Sequence, residues 1–162
     1  MGGIISVFHI YTDGACKSNP GPGAWGFIVY DDNDDRLGSK SGYNPKTTNN
    51  EMELTAIVEA LRWSVKKDNR PIAIYTDSAY CKNGMESWMF SWQRKGWKKA
   101  DGEVPLNLEL WQEAFKLTQQ YINFHNTNPT FIKVKGHSGI SGNEAVDALC
   151  NTVITEAEMA EM

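Results

Sequence analysis

Apolar and polar positions along this 162-residue chain change period several times, and each change marks an element. Residues 5–13 and 24–30 read as strands, separated by the turn-rich stretch "GACKSNPGPG". The polar run "DDNDDRLG" reads as a hairpin connection into a third strand, "RLGSKSGY". Over 48–67 the period lengthens to that of a helix: Leu54, Ile57, Val58, Leu61 and Val65 share one face. Thr48 and Glu51 stand at the spacing of a capping box at its start. After "KKDNRP" come a strand over Ile72–Asp77 and a short helix from about Ser78. Leu108–His125 is predicted helical and "TFIKVKG" (130–136) a strand. A last helix is predicted from Asn143 to about Thr155, with Ser141 and Glu144 again at capping-box spacing.

The order β-β-β-α-β-α-α-β-α implies an α/β fold, a mixed sheet with helices on its faces. Within it the tetrapeptide "IYTD" occurs twice, at Ile10–Asp13 and Ile74–Asp77. The connection between the copies is long and contains a helix, so the two strands can lie side by side and parallel. Tyr11 and Asp13 then share a face, as do Tyr75 and Asp77. In matched register the aspartates would stand one strand spacing apart, ~4.8 Å, at the carboxyl ends of the strands. In open α/β sheets that edge is where ligands bind.

Composition narrows the class. At 41% hydrophobic and 22% charged residues, 18.2 kDa suits one globular domain over 1–162. No run approaches the ~18 apolar residues of a membrane span. The first residues lack the basic region of a secretory signal, so the expected compartment is cytoplasmic. Cys16, Cys81 and Cys150 are odd in number and widely spaced, which argues against a disulfide framework or a zinc site and reads as small hydrophobes. Net charge is −4, but it is unevenly spread. Acids collect in "DDNDD" (31–35) and in the tail 156–162, whereas Arg94, Lys95, Lys98 and Lys99 form a basic patch free of acids. A local patch of this kind governs docking of a polyanion whatever the overall balance.

Two further acids extend the pair. Glu53 lies in the first turn of the helix at 48–67, in line with Ala56, Ile57 and Ala60. Asp147 lies one turn after Asn143, beside Val146 and Cys150. Each alone could be an acid favoured by a helix dipole. Four together, without a Cys/His cluster, suit hard divalent ions such as Mg²⁺, which take carboxylate and phosphate oxygens. Two such ions can activate a water and stabilise a leaving oxygen at phosphorus. His137, in the glycine-rich "VKGHSGISGNE", has a side chain suited to moving protons.

With these residues assembled, the chain resembles the type-1 ribonuclease H family. "YTDGACKSNPGPGAWGFIV", "TTNNEMELTAIVEAL", "IYTDSAYCKNG", "WMFSWQRKGWKKADG" and "VKGHSGISGNEAVDALC" are similar to its linked motifs over roughly residues 5–153. The resemblance implies a ribonuclease H-like mixed five-stranded sheet flanked by helices, with a basic helical protrusion at about 87–105. It implies Asp13, Glu53, Asp77 and Asp147 as carboxylates for two Mg²⁺ ions, with Mn²⁺ as a substitute, and His137 assisting proton transfer or product release. The implied activity is cleavage of the RNA strand of RNA–DNA hybrids to 5′-phosphate and 3′-hydroxyl ends. In such a monomer, with no obligate protein partner, the role would be removal of RNA primers and R-loops.

RNA alone offers a 2′-hydroxyl across the wide minor groove. The backbone of Gly14, Ala15 and Cys16 and the side chains of Asn19 and Asn50 are expected to read it. Thr48, Asn49 and Ser91 are candidates for DNA-strand phosphates, and Trp97, flanked by Lys98 and Lys99, for docking; Trp88 and Trp92 are expected mainly to pack. Glu51 stands where several relatives carry Arg, and Ala79 where a longer polar side chain is common, so each removes a substrate contact. Two other readings stay open on the acids alone: a polynucleotidyl transferase or resolvase of the same fold, and a nucleic-acid-binding domain with an inert acidic pocket.

Overall fold

The computed structural model describes residues 6–67, 70–135 and 141–162. Five strands, β1 (Phe8–Cys16), β2 (Gly21–Tyr30), β3 (Arg36–Thr47), β4 (Ile72–Thr76) and β5 (Thr130–Lys133), form one mixed sheet in the order β3-β2-β1-β4-β5. β1 pairs antiparallel with β2, which pairs antiparallel with β3. β1 and β4, and β4 and β5, run parallel. The helices are α1 (Asn49–Lys66), α2 (Ala79–Asn83), α3 (Met89–Arg94), α4 (Leu108–His125) and α5 (Ser141–Ala160). The predicted fold class holds, and no helix among the described residues is long and apolar enough to cross a membrane.

Strand alternation divides the sheet's two faces. Phe8, Ile10, Ile72 and Ile74 enter the main core with Leu54, Ile57 and Leu61 of α1 and Trp111, Ala114 and Leu117 of α4. Burial of this order, at ~25 cal/mol per Å² of apolar surface, is the main favourable contribution to folding. On α1 Val65 packs against the core as predicted but stays half-buried, while its neighbour Ser64 is buried and donates to Leu61 O at 2.8 Å. α5 covers the opposite face, where Cys150 and Ile154 pack with Ala24 and Ala15.

Several element ends differ from the sequence reading. β1 continues past Asp13 to Cys16, with Cys16 opposite Gly23 of β2, so the predicted long turn shrinks to residues 17–20. Antiparallel pairing with a full partner strand outweighs the local turn tendency of glycine and asparagine. α5 begins at Ser141, two residues before the predicted start, and runs five past Thr155, so most of the acidic tail is helix. Residues 84–88 form a π turn between α2 and α3. A Cβ on Gly84 there would lie 2.1 Å from the Trp111 ring, so only glycine fits. In the acidic hairpin, Asp31 Oδ1 accepts from the Asn33 and Asp35 amides, and Asp32 bonds His9 Nε2 at 2.8 Å. "DDNDD" therefore builds its own turn and ties it to β1.

Candidate active site

The repeated tetrapeptide is a register device. Ile10 faces Ile74 and Tyr11 faces Tyr75 across the parallel ladder, an offset of 64 that carries Asp13 to Asp77. Both isoleucines are fully buried. The tyrosine rings stack 4.3 Å apart at 10°. Thr12 Oγ1 donates to Tyr75 O at 3.1 Å, and Thr76 Oγ1 accepts from the Ser78 amide at 3.1 Å, turning the chain out of β4 into α2. The isoleucines, the tyrosines and Thr12 thus hold the two strand ends together, and the aspartates are the outcome.

α1 delivers the third acid. Thr48 caps its N-terminus by accepting from the Glu51 amide at 3.1 Å. The capping box does not close, because Glu51 Oε1 instead accepts from the Thr47 hydroxyl at 2.6 Å. β1 presses against this first turn at Gly14, where a Cβ would stand 2.3 Å from Glu53 N. A glycine is required for that approach, and the Gly14 amide bonds the Glu53 carboxylate. Oxygens of Asp13, Glu53 and Asp77 consequently lie within 4.8 Å of one another.

Burial and mutual repulsion perturb all three. Burial and then Asp77 raise the Asp13 carboxyl to about 7. Glu53 is pushed well up by burial, then by Asp13 and Asp77, and Asp77 is raised by burial first. Like charges so placed share protons unless a cation intervenes. One oxygen, Glu53 Oε2, is buried with no hydrogen-bond partner, a costly state that a cation would relieve. The donor set is all carboxylate, which fits a hard divalent ion.

Asp147 stands outside the tight triad but beside it. It is half-buried on α5, approaches Asp13 closely enough to raise its pKa, and takes a long 3.5 Å contact from Asn151 Nδ2. Cys150, one turn on, donates from Sγ to Asp13 O at 3.6 Å. Burial raises the thiols of Cys150 and Cys81 first, that of Cys81 to about 12, so both behave as small hydrophobes. His137 lies outside the described residues.

The predicted substrate contacts separate into engaged and open groups. The β1–β4 ladder ends at Tyr11, so Asp13–Cys16 pair with β2 alone and their other edge faces no strand. Of that edge, Gly14 is committed to Glu53, whereas Ala15 and Cys16 are half-buried. Cys16 Sγ donates toward Ser18 O, 2.7 Å away, with Gly21 O and Thr47 O at 3.4 and 3.3 Å. Asn19 Oδ1 accepts from the Asn49 amide at 2.9 Å, tying the 17–20 turn to α1. Asn49 and Asn50 are exposed. Ala79 is exposed at the start of α2.

The tryptophans divide differently from the sequence reading: Trp92 packs as expected, edge-on to the buried Trp111 at 5.6 Å, while Trp97 is also drawn onto the core and Trp88 is left partly in solvent. Trp97 is half-buried, edge-on to Phe115 of α4 at 5.9 Å, and packs on the main core. Trp88 is 38% exposed and, with Tyr80, Trp92, Lys99, Pro105 and Leu106, lines an open groove. The i, i+4 spacing of Trp88 and Trp92 placed them on one helical face, a signal that flanking lysines at Trp97 obscured. Lys98 is exposed, Ser91 half-buried, and Lys99 stands 4.0 Å from Asp101. A separate depression near Lys40, Trp63 and Lys66 holds no acid cluster, and its Arg62 is paired with Glu59 and Glu113.

Residues 6–155 match the family described as RNase H. A ribonuclease H of Cyanothece sp. is 44% identical over 143 residues, covering 88% of this chain and 86% of that protein. One of Neisseria gonorrhoeae is 45% identical over 147 residues, covering 88% and 92%. Among solved structures, LC9-RNase H1, a type 1 RNase H with the type 2 active-site motif, superposes with a TM-score of 0.74 at 30% identity, over 96% of this chain and 75% of that one. LC11-RNase H1 in complex with RNA/DNA hybrid shares the fold at a TM-score of 0.67 and 24% identity, over 93% and 98%. The family match and these identities over most of the chain show that the chain belongs to the RNase H family.

Proposed function

We propose that this protein is an endonuclease that hydrolyses the RNA strand of RNA–DNA hybrids, leaving 5′-phosphate and 3′-hydroxyl ends. The observation that carries the reading is the convergence of Asp13, Glu53 and Asp77 within 4.8 Å, with the buried Glu53 oxygen left unpartnered. The three, with Asp147 alongside, are the residues that would hold two Mg²⁺ ions, or Mn²⁺ in their place. Such ions supply a nucleophilic water at neutral pH and charge stabilisation for the leaving oxygen. The chain's own contribution is to fix the acids: the β1–β4 register sets two, and the Gly14 amide orients Glu53.

Selectivity for RNA falls to the free edge of β1 at Ala15–Cys16 and to the exposed Asn19 and Asn50, which can meet a 2′-hydroxyl. The DNA strand is assigned to Thr48, Asn49 and Ser91, and to the groove of Tyr80, Trp88 and Trp92 beside Lys99. Aromatic faces there stack on sugars and bases without regard to sequence. His137 is retained as the proton-moving residue on the chemistry of imidazole. A single-domain, monomeric, cytoplasmic enzyme that removes RNA primers and R-loops is the role that follows.

The test is incubation with Mg²⁺ and a matched set of substrates: hybrid, RNA duplex, DNA duplex and single strands. Cleavage confined to the RNA of the hybrid is expected, and chelation by EDTA should stop it. Equal cutting of duplex DNA would instead favour a polynucleotidyl transferase or resolvase. No cutting of any substrate with Mg²⁺ or Mn²⁺ would favour a binding domain.

A further inference from the structure

The acidic end of α5 lies against the turn between β1 and β2. Asp13 and Ala15 alternate along β1 onto the side that α5 covers, and Lys17, the first residue after the strand, also meets α5. Cys150 Sγ donates to Asp13 O, Ala15 packs with Cys150 and Ile154, and Lys17 Nζ lies 2.8 Å from Glu158 Oε1. Asp147, Cys150, Ile154 and Glu158 therefore form one stripe of α5, leading from the acid cluster to the 17–20 turn. The Lys17–Glu158 pair is loosely made. The Lys17 side chain stays 55% exposed, and the covered Glu158 Oε1 accepts no aligned hydrogen bond despite its closeness.

We propose that Lys17 contacts a backbone phosphate of the bound hybrid and that Glu158 competes with that phosphate for it, so the end of α5 tunes hybrid affinity. The proposal rests on the hybrid-cleaving reading above. Lys17 is the only cation in the 17–20 turn, whose Asn19 adjoins the exposed start of α1. It stands four residues beyond Asp13, about 13 Å along an extended strand. That span is a few nucleotides along a duplex, within reach of the substrate that enters the acid cluster. Exposed ion pairs contribute little, so a phosphate can take Lys17 from Glu158. The displaced carboxylate then faces a polyanion, which opposes binding.

Hybrid affinity of the full chain, measured across a salt series with Ca²⁺ in place of Mg²⁺, tests this. Glu158→Gln should tighten binding about two- to fivefold at low salt. Lys17→Ala should weaken it and lower the slope of log K against log salt by roughly 0.7–0.9, one phosphate contact. In a Lys17→Ala background, Glu158→Gln should have no effect. An equal effect in both backgrounds would show that the acid acts by general repulsion and overturn the competition. A lower Tm with unchanged affinity in either variant would make the pair a structural clasp and overturn it as well. If the wild type neither binds nor cuts hybrid, the proposed function fails; if it binds and Lys17→Ala binds equally, only this inference fails.

Discussion

The acid cluster and the aromatic-basic segment at 80–106 are built in opposite ways. The cluster gathers residues 64 positions apart in sequence through strand register and a glycine contact, and three of its carboxylates crowd below 4.8 Å. The aromatic segment is continuous in sequence: α2, a π turn and α3 follow one another, with Tyr80–Trp88 and Trp88–Trp92 both at 6.0 Å, and it is anchored on α4 through Trp92–Trp111 and Trp97–Phe115. One region concentrates buried like charge, which is unfavourable until a cation arrives. The other leaves apolar faces and lysines in solvent. The difference predicts that lesions in the first act on turnover, metal binding and stability, and lesions in the second on affinity.

The largest separation should come from Asp77→Asn. Removing even a partner of a metal ligand typically costs about 10- to 100-fold. Loss of the ligand itself is expected to lower turnover by more than about 100-fold while leaving hybrid affinity within about twofold. An active Asp77→Asn enzyme would remove Asp77 from the metal assignment.

Asp13→Asn tests the crowding itself. The folded pKa of Asp13, about 7, lies above its ordinary 3.8. The folded state therefore holds a proton that the unfolded state releases, and stability falls as pH rises through that window. Without metal, the wild type should lose about 4 kcal/mol between pH 4 and pH 8 from this group, and Asp13→Asn should raise Tm at pH 8. Mg²⁺ should raise the Tm of the wild type and much less that of the variant. A lower Tm for Asp13→Asn at pH 8 in EDTA would contradict the crowding.

The same contrast explains what the sequence made legible. The "IYTD" repeat exposed the register, because an equal offset on parallel strands places equal letters opposite one another, and Glu53 followed from its position on the buried stripe of α1. The end of β1 did not follow, since "GACKSNPGPG" has the composition of a turn and only its pairing with β2 keeps Ala15 and Cys16 extended. Nor did the partition of the tryptophans. Trp97 packs on Phe115, which lies 18 residues away in sequence on α4, and a local pattern contains no such information. Glu51 shows the same limit: its capping-box spacing is correct, yet the Thr47 hydroxyl takes its carboxylate.

Two tryptophan substitutions sharpen the comparison within the aromatic segment. Stacking on a nucleic-acid base is worth about 1–3 kcal/mol. Trp88→Ala should therefore raise KM about 5- to 150-fold with kcat nearly unchanged and Tm little affected. Trp97→Ala should lower stability, by roughly 1–2 kcal/mol for a half-buried ring, with a smaller change in KM. The reverse outcome, a KM effect confined to Trp97, would return the docking role to the lysine-flanked ring.

The smallest effect expected is at the lysines. Lys98 is exposed, whereas Lys99 stands 4.0 Å from Asp101 and beside the aromatic groove. Each phosphate contact adds ~0.9 to the salt slope for a B-form duplex. Full engagement of both would therefore lower the slope by nearly two in the Lys98→Ala/Lys99→Ala variant. Because Asp101 already neutralises part of the charge at Lys99, the slope should fall by closer to one, and Lys98→Ala alone should account for most of it. A slope loss carried mainly by Lys99→Ala would mean that phosphate displaces Asp101 and that Lys99 works with Trp88 and Trp92 as one docking surface. An unchanged slope in the double variant would remove both lysines from the interface and leave the DNA strand to the aromatic faces with Thr48, Asn49 and Ser91.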